Sequence, residues 1–461
     1  MSQSKSHNSN TSVVGVVSIG RKRPGFDQKW NDVMRAEAAA ALESLGVATA
    51  GAIEIPVDET TMRSALDRLA ATGVSTLLVL QPSMGNGQLA LTVAQRWTGP
   101  IVLWATPERP EGEKVSSCSL VAQHLWSSLM RQLNRPFELV IGRATDAATQ
   151  AALARALNVC RGYADVRRAR LGLIGAHAPG FIAMEADPFA MQQQLGVQLQ
   201  RLSLPQFIER CAALDERAVR DDVEKVRAMN LPMTGGVTVN DLSTNSRYYL
   251  ALREILAEEA LDALALQEWP ELPNTPGQWP YLAMSRLADE GAIVAMEGDA
   301  DGAITALAGR AIGAGFGYLT DWLEHDARSV HFWHAGMAPI SWCERAALGR
   351  HFNIEKPLVV DGPIKANEAI TAARIWRVDG RYYATAFQGK TIRNPRELSG
   401  NTALVEFTRE EIPGGGAGGD MNQWFDTLVH AGLPHHVAVF RGHHADTFRR
   451  LSRMLRVEWV G

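Results

Sequence analysis

The chain of 461 residues is poor in cysteine, in long apolar runs and in surplus charge of either sign. Each shortage excludes something. The four cysteines, Cys118, Cys160, Cys211 and Cys343, stand far apart and form no Cys-x-x-Cys pair. No disulfide framework follows, and a reducing, cytoplasmic setting is expected. No apolar stretch approaches the roughly 18 residues that span a bilayer, so no membrane partner is expected. The opening MSQSKSHNSNTS lacks the apolar core of a secretory leader and reads as a disordered tail over residues 1–11. With 46 basic and 50 acidic residues the net charge is −4, so no global positive field recruits nucleic acid. What is present is an ordinary globular balance, 46% hydrophobic and 21% charged, in a chain long enough for about three domains.

Apolar runs alternate with helical patterns. SVVGVVSIG, AGAIEIP, VSTLLVLQP, PIVLWATPE and FELVIG read as strands, and amphipathic stretches lie between them. The first of these helices takes Asn31 as its cap and Gly46 as its stop. Continuous apolar strands separated by helices predict a doubly wound parallel α/β domain over residues 12–170. LGLIGAHAPG opens a second such α/β domain, 171–291. A third, 292–461, changes character: IWRVDGRYYATAFQGKTI alternates apolar and polar residues around an Asp379-Gly380 hairpin turn. It reads as α+β with antiparallel strands. The one low-complexity stretch, Pro413 to Asp420 with its five glycines, reads as a surface linker or a site flap.

Residues with chemistry to offer concentrate in this third part. AIVAMEGD puts Glu297 at the end of an apolar strand, and FGYLTDW puts Asp321 at the end of the next, beyond a small-residue helix. Side chains at the carboxyl ends of such strands point into the ligand crevice, and a β-α-β unit can set two of them side by side. His334 follows, and His443 and His444 end a later apolar run. Two carboxylates and a histidine suit Mn²⁺, Mg²⁺ or Co²⁺ better than a structural zinc, and the carboxylates can also move protons. The plainer alternative is that such acids cap the following helices. His435 and His436 are adjacent, so a regular strand would send them to opposite faces; loop structure is the plainer reading, with one of them lining the site. Trp322, Trp333 and Trp342 lie near in sequence and serve either as sugar-stacking surfaces or as core. Arg374, Arg377 and Lys390 serve either the far end of a substrate or solvated strand edges.

The segment GAIVAMEGDADGAITALAGRAIGAGFGYLTDW resembles the catalytic β-α-β segment of the L-fucose and L-arabinose isomerase superfamily, on the fucose side. GLPHHVAVFRGHHADTFRRLSRMLRV is similar to its closing Gly-His, helix and Met-Leu-Arg segment, and ALALQEWPEL to its strand ending in Trp-Pro. The resemblance covers about Leu264 to Val457. It implies a metal-dependent aldose–ketose isomerase working through a cis-enediol on an open-chain sugar. Glu297 and Asp321 would be the proton-transferring metal ligands and His443, counted back from Met454-Leu455-Arg456, the third ligand. His334 would be a substrate contact or ligand, and Trp269 and Gln267 would lie near the substrate. The stretch Gly20 to Arg23 stands where the family makes an N-terminal substrate contact. A homo-oligomer, often a hexamer, is implied by the resemblance alone.

Two other readings remain at this point. Gly85-x-Gly87-x-x-Ala90 between a strand and a helix, with Glu108 at the end of the next strand, imitates a dinucleotide fingerprint and would make an NAD(P)-dependent oxidoreductase. It follows the third strand rather than the first, and isolated glycine matches are common. Two stacked α/β units also fit a two-lobed sugar-binding protein, which would have no need of Glu297, Asp321 and His443.

Overall fold

The apolar runs of the first third become one parallel sheet: β1 (Val14–Ser18), β2 (Thr49–Gly51), β3 (Thr76–Gln81), β4 (Ile101–Ala105) and β5 (Phe137–Ile141), in the order β2-β1-β3-β4-β5. Every residue of β3 and β4 is buried, as a central strand covered on both faces requires. The computed structural model describes residues 13–21, 26–51, 54–396, 398–408, 411–413 and 419–461. The expected tail over 1–11, most of the glycine-rich stretch and Arg23 lie outside them. The first helix is Gln28–Ser44, capped by Asp27, whose side chain accepts from the Trp30 N–H; Asn31, expected as the cap, is buried inside it. Asp58 and Asn86 cap the next two helices in the same way.

One compact unit runs to Asp165 and includes Arg453–Leu455. The other holds Val166–Ser452 and Arg456–Gly461. The second unit contains its own parallel sheet, built from β6 (Arg170–Ile174), β7 (Gln198–Leu202), β8 (Ala263–Leu266) and β9 (Val294–Ala295) in the order β7-β6-β8-β9.

The remaining strands of this unit pair antiparallel, as the alternating pattern predicts, except for the last. They are β10 (Tyr318–His325), β11 (Ser329–His334), β12 (Ala347–Arg350), β13 (Pro357–Asp361), β14 (Ala369–Val378), β15 (Arg381–Ile392), β16 (Asn401–Glu406), β17 (His436–Arg441) and β18 (Glu458–Trp459). The order β14-β17-β10-β11-β16-β15 closes on itself, because β14 also pairs with β15. Closure leaves no free edge along these six strands. The short β18 lies parallel on β15, and β12 and β13 pair with each other. Asp379 and Gly380 form the two-residue turn of the β14–β15 hairpin, both with positive φ (49° and 74°), as a primed turn demands.

The helix Ala300–Ala311 packs on β8 on one side and on β14 and β17 on the other. Its small residues are what this position allows. A Cβ on Gly309 would stand 2.0 Å from the Phe440 ring. Because that helix joins two sheets, β9 and β10 do not lie side by side as a simple β-α-β unit would place them. β9 ends the parallel sheet and β10 belongs to the closed antiparallel one. No helix among the described residues is long and apolar enough to cross a membrane.

Candidate active site

The site is assembled where β8 and β9 end, against the middle of β10, the end of β11 and the start of β17. Asp321, expected at the end of its strand, lies inside β10, because that strand runs on to His325 in its pairing with β11. Glu297 follows β9 in a left-handed conformation, φ 58°, unusual for a residue with a side chain. Two hydrogen bonds hold that corner. Its N–H donates to the Glu268 carboxylate (2.7 Å), and its carbonyl accepts from the Ala178 N–H (2.8 Å). Gly298 must be glycine: φ is 67°, and a Cβ there would lie 1.9 Å from the Ala176 carbonyl oxygen. Asp299 then caps the helix Ala300–Ala311, its Oδ1 accepting from the Gly302 N–H (2.8 Å). The capping alternative therefore describes Asp299, whereas Glu297 is left free to face the site.

Asp321 and His436 are directly opposite one another in the antiparallel β10–β17 pair, so their side chains share a face. His436 is fully buried. Its Nε2 lies 3.4 Å from Glu297 Oε2 and 3.6 Å from Asp321 Oδ1, and its Nδ1 is 2.9 Å from Asp299 Oδ2. His435 precedes the strand and is freed from strand alternation. It is 40% exposed in its side chain, and its Nε2 reaches to 3.9 Å from Glu297 and 4.0 Å from Asp321. His334, buried at the end of β11, has its Nε2 3.9 Å from Glu297 Oε1.

Sequence reasoning and structure thus share Glu297, Asp321 and His334. His443 is not brought to them: it is exposed, beyond the end of β17, and His436 and His435 stand in its place. The physical reason is the β10–β17 register, which puts position 436 rather than 443 across from Asp321. Gln267 is spent on structure, accepting from the Ala176 N–H (2.7 Å) and donating to Glu271 (3.1 Å). Trp269 stacks on Trp279 (5.7 Å between centroids), which stacks in turn on Tyr281 and His351. Tyr281 meets the His334 ring edge-on at 5.9 Å, so Trp269 stands at the outer end of an aromatic row that leads to the site. Trp333 sits beside His334 (6.1 Å), whereas Trp322 packs among Phe332, Phe387 and Phe425. Arg374 is neither a solvated edge nor a substrate contact: it is 1% exposed and forks onto both oxygens of Asp299 (2.7 and 2.8 Å). Arg377 pairs with Asp187 at 3.7 Å, and Lys390 is exposed.

Glu268 was missed by sequence reasoning. Its position just past the end of β8 is the same signal that singled out Glu297. It is fully buried, and burial, reinforced by the nearby charge of Glu297, pushes its carboxyl up to about 8 from an ordinary 4.5. Burial acts on Glu297 in the same sense, but His334, His435 and His436 outweigh it and hold its carboxyl far below the usual range. Two neighbouring carboxyls are thereby driven apart, one neutral and one ionised near pH 7. Folding takes up a proton at Glu268 between its unfolded and folded pKa values, so the stability this group confers is complete below about pH 4.5 and is lost as the pH rises towards 8. Glu268→Gln keeps an acceptor for the Glu297 N–H and has no proton to lose. In the metal-free protein its melting temperature should gain on the wild type steadily from pH 5 to pH 8. A constant difference across that range would refute the buried proton.

Three buried polar atoms of these residues have no hydrogen-bond partner among the described residues: Glu297 Oε2, His334 Nδ1 and His436 Nε2. Leaving such atoms unpaired is costly unless something binds them. Glu297, His334 and His436 can bring one ligand atom each within 4.8 Å of one another, and so can Asp321, His435 and His436. The donor set, carboxylate and imidazole with His436 held from behind by a carboxylate, fits a divalent cation. In the N-terminal unit, by contrast, Glu108 has no oxygen to spare for a ribose. Its carboxylate accepts from the N–H and hydroxyl groups of Ser116 and Ser117 and from the Cys118 N–H.

The chain is similar to the sulfoquinovose isomerases of Priestia aryabhattai and Priestia megaterium, each 25% identical over 456 residues, covering 97% of this chain and 98% of the relative. The sulfoquinovose isomerase of Alkalicoccus urumqiensis is 23% identical over 385 residues. The L-arabinose isomerase of Thermotoga sp. strain RQ2 is 24% identical over 200 residues, 42% of this chain and 40% of the relative. No family model matches the chain.

Proposed function

We propose, from the chain's membership of the L-fucose/L-arabinose isomerase superfamily, that it is a metal-dependent aldose–ketose isomerase whose proton-transfer groups are Glu297 and Asp321. The observation that carries this reading is the convergence of two carboxylates on one buried imidazole nitrogen, Nε2 of His436, which has no hydrogen-bond partner among the described residues. Isomerisation moves a proton between C2 and C1 of an open-chain sugar through a cis-enediol. Glu297, ionised and with one oxygen unbonded, is suited to take the proton from one carbon and return it to the other. Asp321, at the same nitrogen of His436, serves the hydroxyl protons. A divalent cation, Mn²⁺ foremost, held by Glu297, Asp321 and His436 with His334 beside them, would supply Lewis-acid stabilisation of the charge that develops on the sugar oxygens. His334 and the aromatic row behind it shield that charge from water.

Sulfoquinovose is the sugar we put first, because isomerases of that name match nearly the whole chain whereas the L-arabinose isomerase matches less than half. A cytoplasmic homo-oligomer, hexameric by resemblance, and a division near residues 170 and 291 belong to the same reading.

The test is proton NMR in D₂O with metal-loaded protein, with and without EDTA, against sulfoquinovose, pentoses, 6-deoxyhexoses and hexoses. Conversion of one aldose to its ketose, abolished by EDTA and restored by Mn²⁺, is expected. Deuterium at the transferred position would mark the enediol route. No conversion of any sugar by the Mn²⁺-loaded protein would overturn the reading.

A further inference from the structure

Asp299 is fully buried against the Nδ1 side of His436, and Arg374, 1% exposed, is buried against Asp299. We propose that Arg374 is a positioning residue: its fork on Asp299 fixes the Nδ1–H tautomer of His436, so that Nε2 presents its lone pair to the site. The inference takes its purpose from the isomerase reading, but the tautomer can be measured without it.

The argument is a count of donors. Asp299 Oδ2 accepts from Arg374 (2.7 Å) and faces His436 Nδ1 (2.9 Å). Oδ1 accepts from Arg374 (2.8 Å) and from the Gly302 N–H (2.8 Å). A carboxylate only accepts, and a guanidinium only donates. With Arg374 committed to both oxygens, Asp299 is held as a pure acceptor in one rotation, and the imidazole nitrogen facing it must carry the proton. In the neutral ring, the form that binds a metal, the other nitrogen is then an acceptor, and it is the one with no partner among the described residues. Arg374 Nε has no hydrogen-bond partner either, so among the described residues the fork is the whole of its hydrogen bonding. A lysine in its place would be a point charge unable to hold both oxygens.

Asp299→Asn separates this role from mere stabilisation. The amide can still cap the helix. Turning its NH₂ towards Gly302 would set two donors against it, the Gly302 N–H and one Arg374 nitrogen. Turning it towards His436 sets only one, provided that Nδ1 gives up its proton and accepts. The imidazole is therefore expected to change to the Nε2–H form.

The experiment is ¹⁵N NMR of the [¹⁵N]histidine-labelled, metal-free full chain near pH 8, with His436 assigned by the loss of its signals in His436→Gln, together with Mn²⁺ titration. Wild type should show Nδ1–H. Asp299→Asn should show Nε2–H with Mn²⁺ bound about 10–100-fold more weakly. Arg374→Lys should show both tautomers and a weaker Mn²⁺ affinity. A folded Asp299→Asn that keeps Nδ1–H, or an Arg374→Lys with wild-type tautomer and affinity, would overturn the proposal. If Asp299→Asn fails to fold, Arg374→Lys decides alone. The expected tautomers in a protein that converts no sugar would sink the isomerase reading and leave this one standing.

Discussion

Glu297→Gln is expected to lower kcat by about 10²–10⁴-fold, the usual worth of a positioned proton-transfer group, with the fold intact. The fold should survive because the strained part of Glu297 is its backbone. The left-handed φ is held by Glu268 and Ala178 through main-chain atoms that the substitution leaves in place. The side chain gives up its charge interaction with the three histidines, but Oε2 has no hydrogen-bond partner to lose among the described residues. What the amide cannot do is hold the negative charge that His334, His435 and His436 stabilise at this point. Steady-state kinetics with circular dichroism as the control decide the matter, and turnover within tenfold of wild type would remove Glu297 from the chemistry.

The second large effect separates His436 from His443, the histidine that the sequence reading puts forward as the ligand. His436→Gln should abolish Mn²⁺ binding at micromolar concentrations and with it the isomerase activity. His443→Gln should leave both within about twofold, as surface substitutions away from a site generally do. Glutamine at 436 can still donate to Asp299 from nearly the same volume, which limits the damage to the core. His443 is exposed and has no part in either ligand group. Isothermal titration with Mn²⁺ on both variants reads the difference directly. The reverse pattern, with loss at 443 and none at 436, would mean that the site is built differently.

The history of these two residues shows where sequence reasoning stops. The tandem His435-His436 was visible, but the alternation rule spoke against both facing one site, and it holds only inside a regular strand. β17 begins at His436, so His435 is free of the rule and the two rings tilt together, 4.3 Å apart. Glu297 and Asp321 were legible because each ends an apolar run. Glu268 carried the same signal and was passed over. Arg374 reads from the sequence as a substrate contact or a solvated strand-edge cation, because the sequence does not show that β14 pairs on both sides and closes a barrel around it.

The sequence by itself determined the element types, two parallel sheets and an antiparallel third part, the Asp379-Gly380 turn and the two carboxylates that follow apolar runs. These depend on period, turn chemistry and neighbouring residues, all local in the chain. Only the tertiary structure decided which histidine meets the carboxylates, that Asp299 rather than Glu297 is the helix cap, and that an arginine 75 positions away locks that aspartate from behind. Those outcomes hang on the register between β10 and β17 and on barrel closure. Each is a long-range pairing, set by the burial of whole strand faces rather than by any one stretch of sequence.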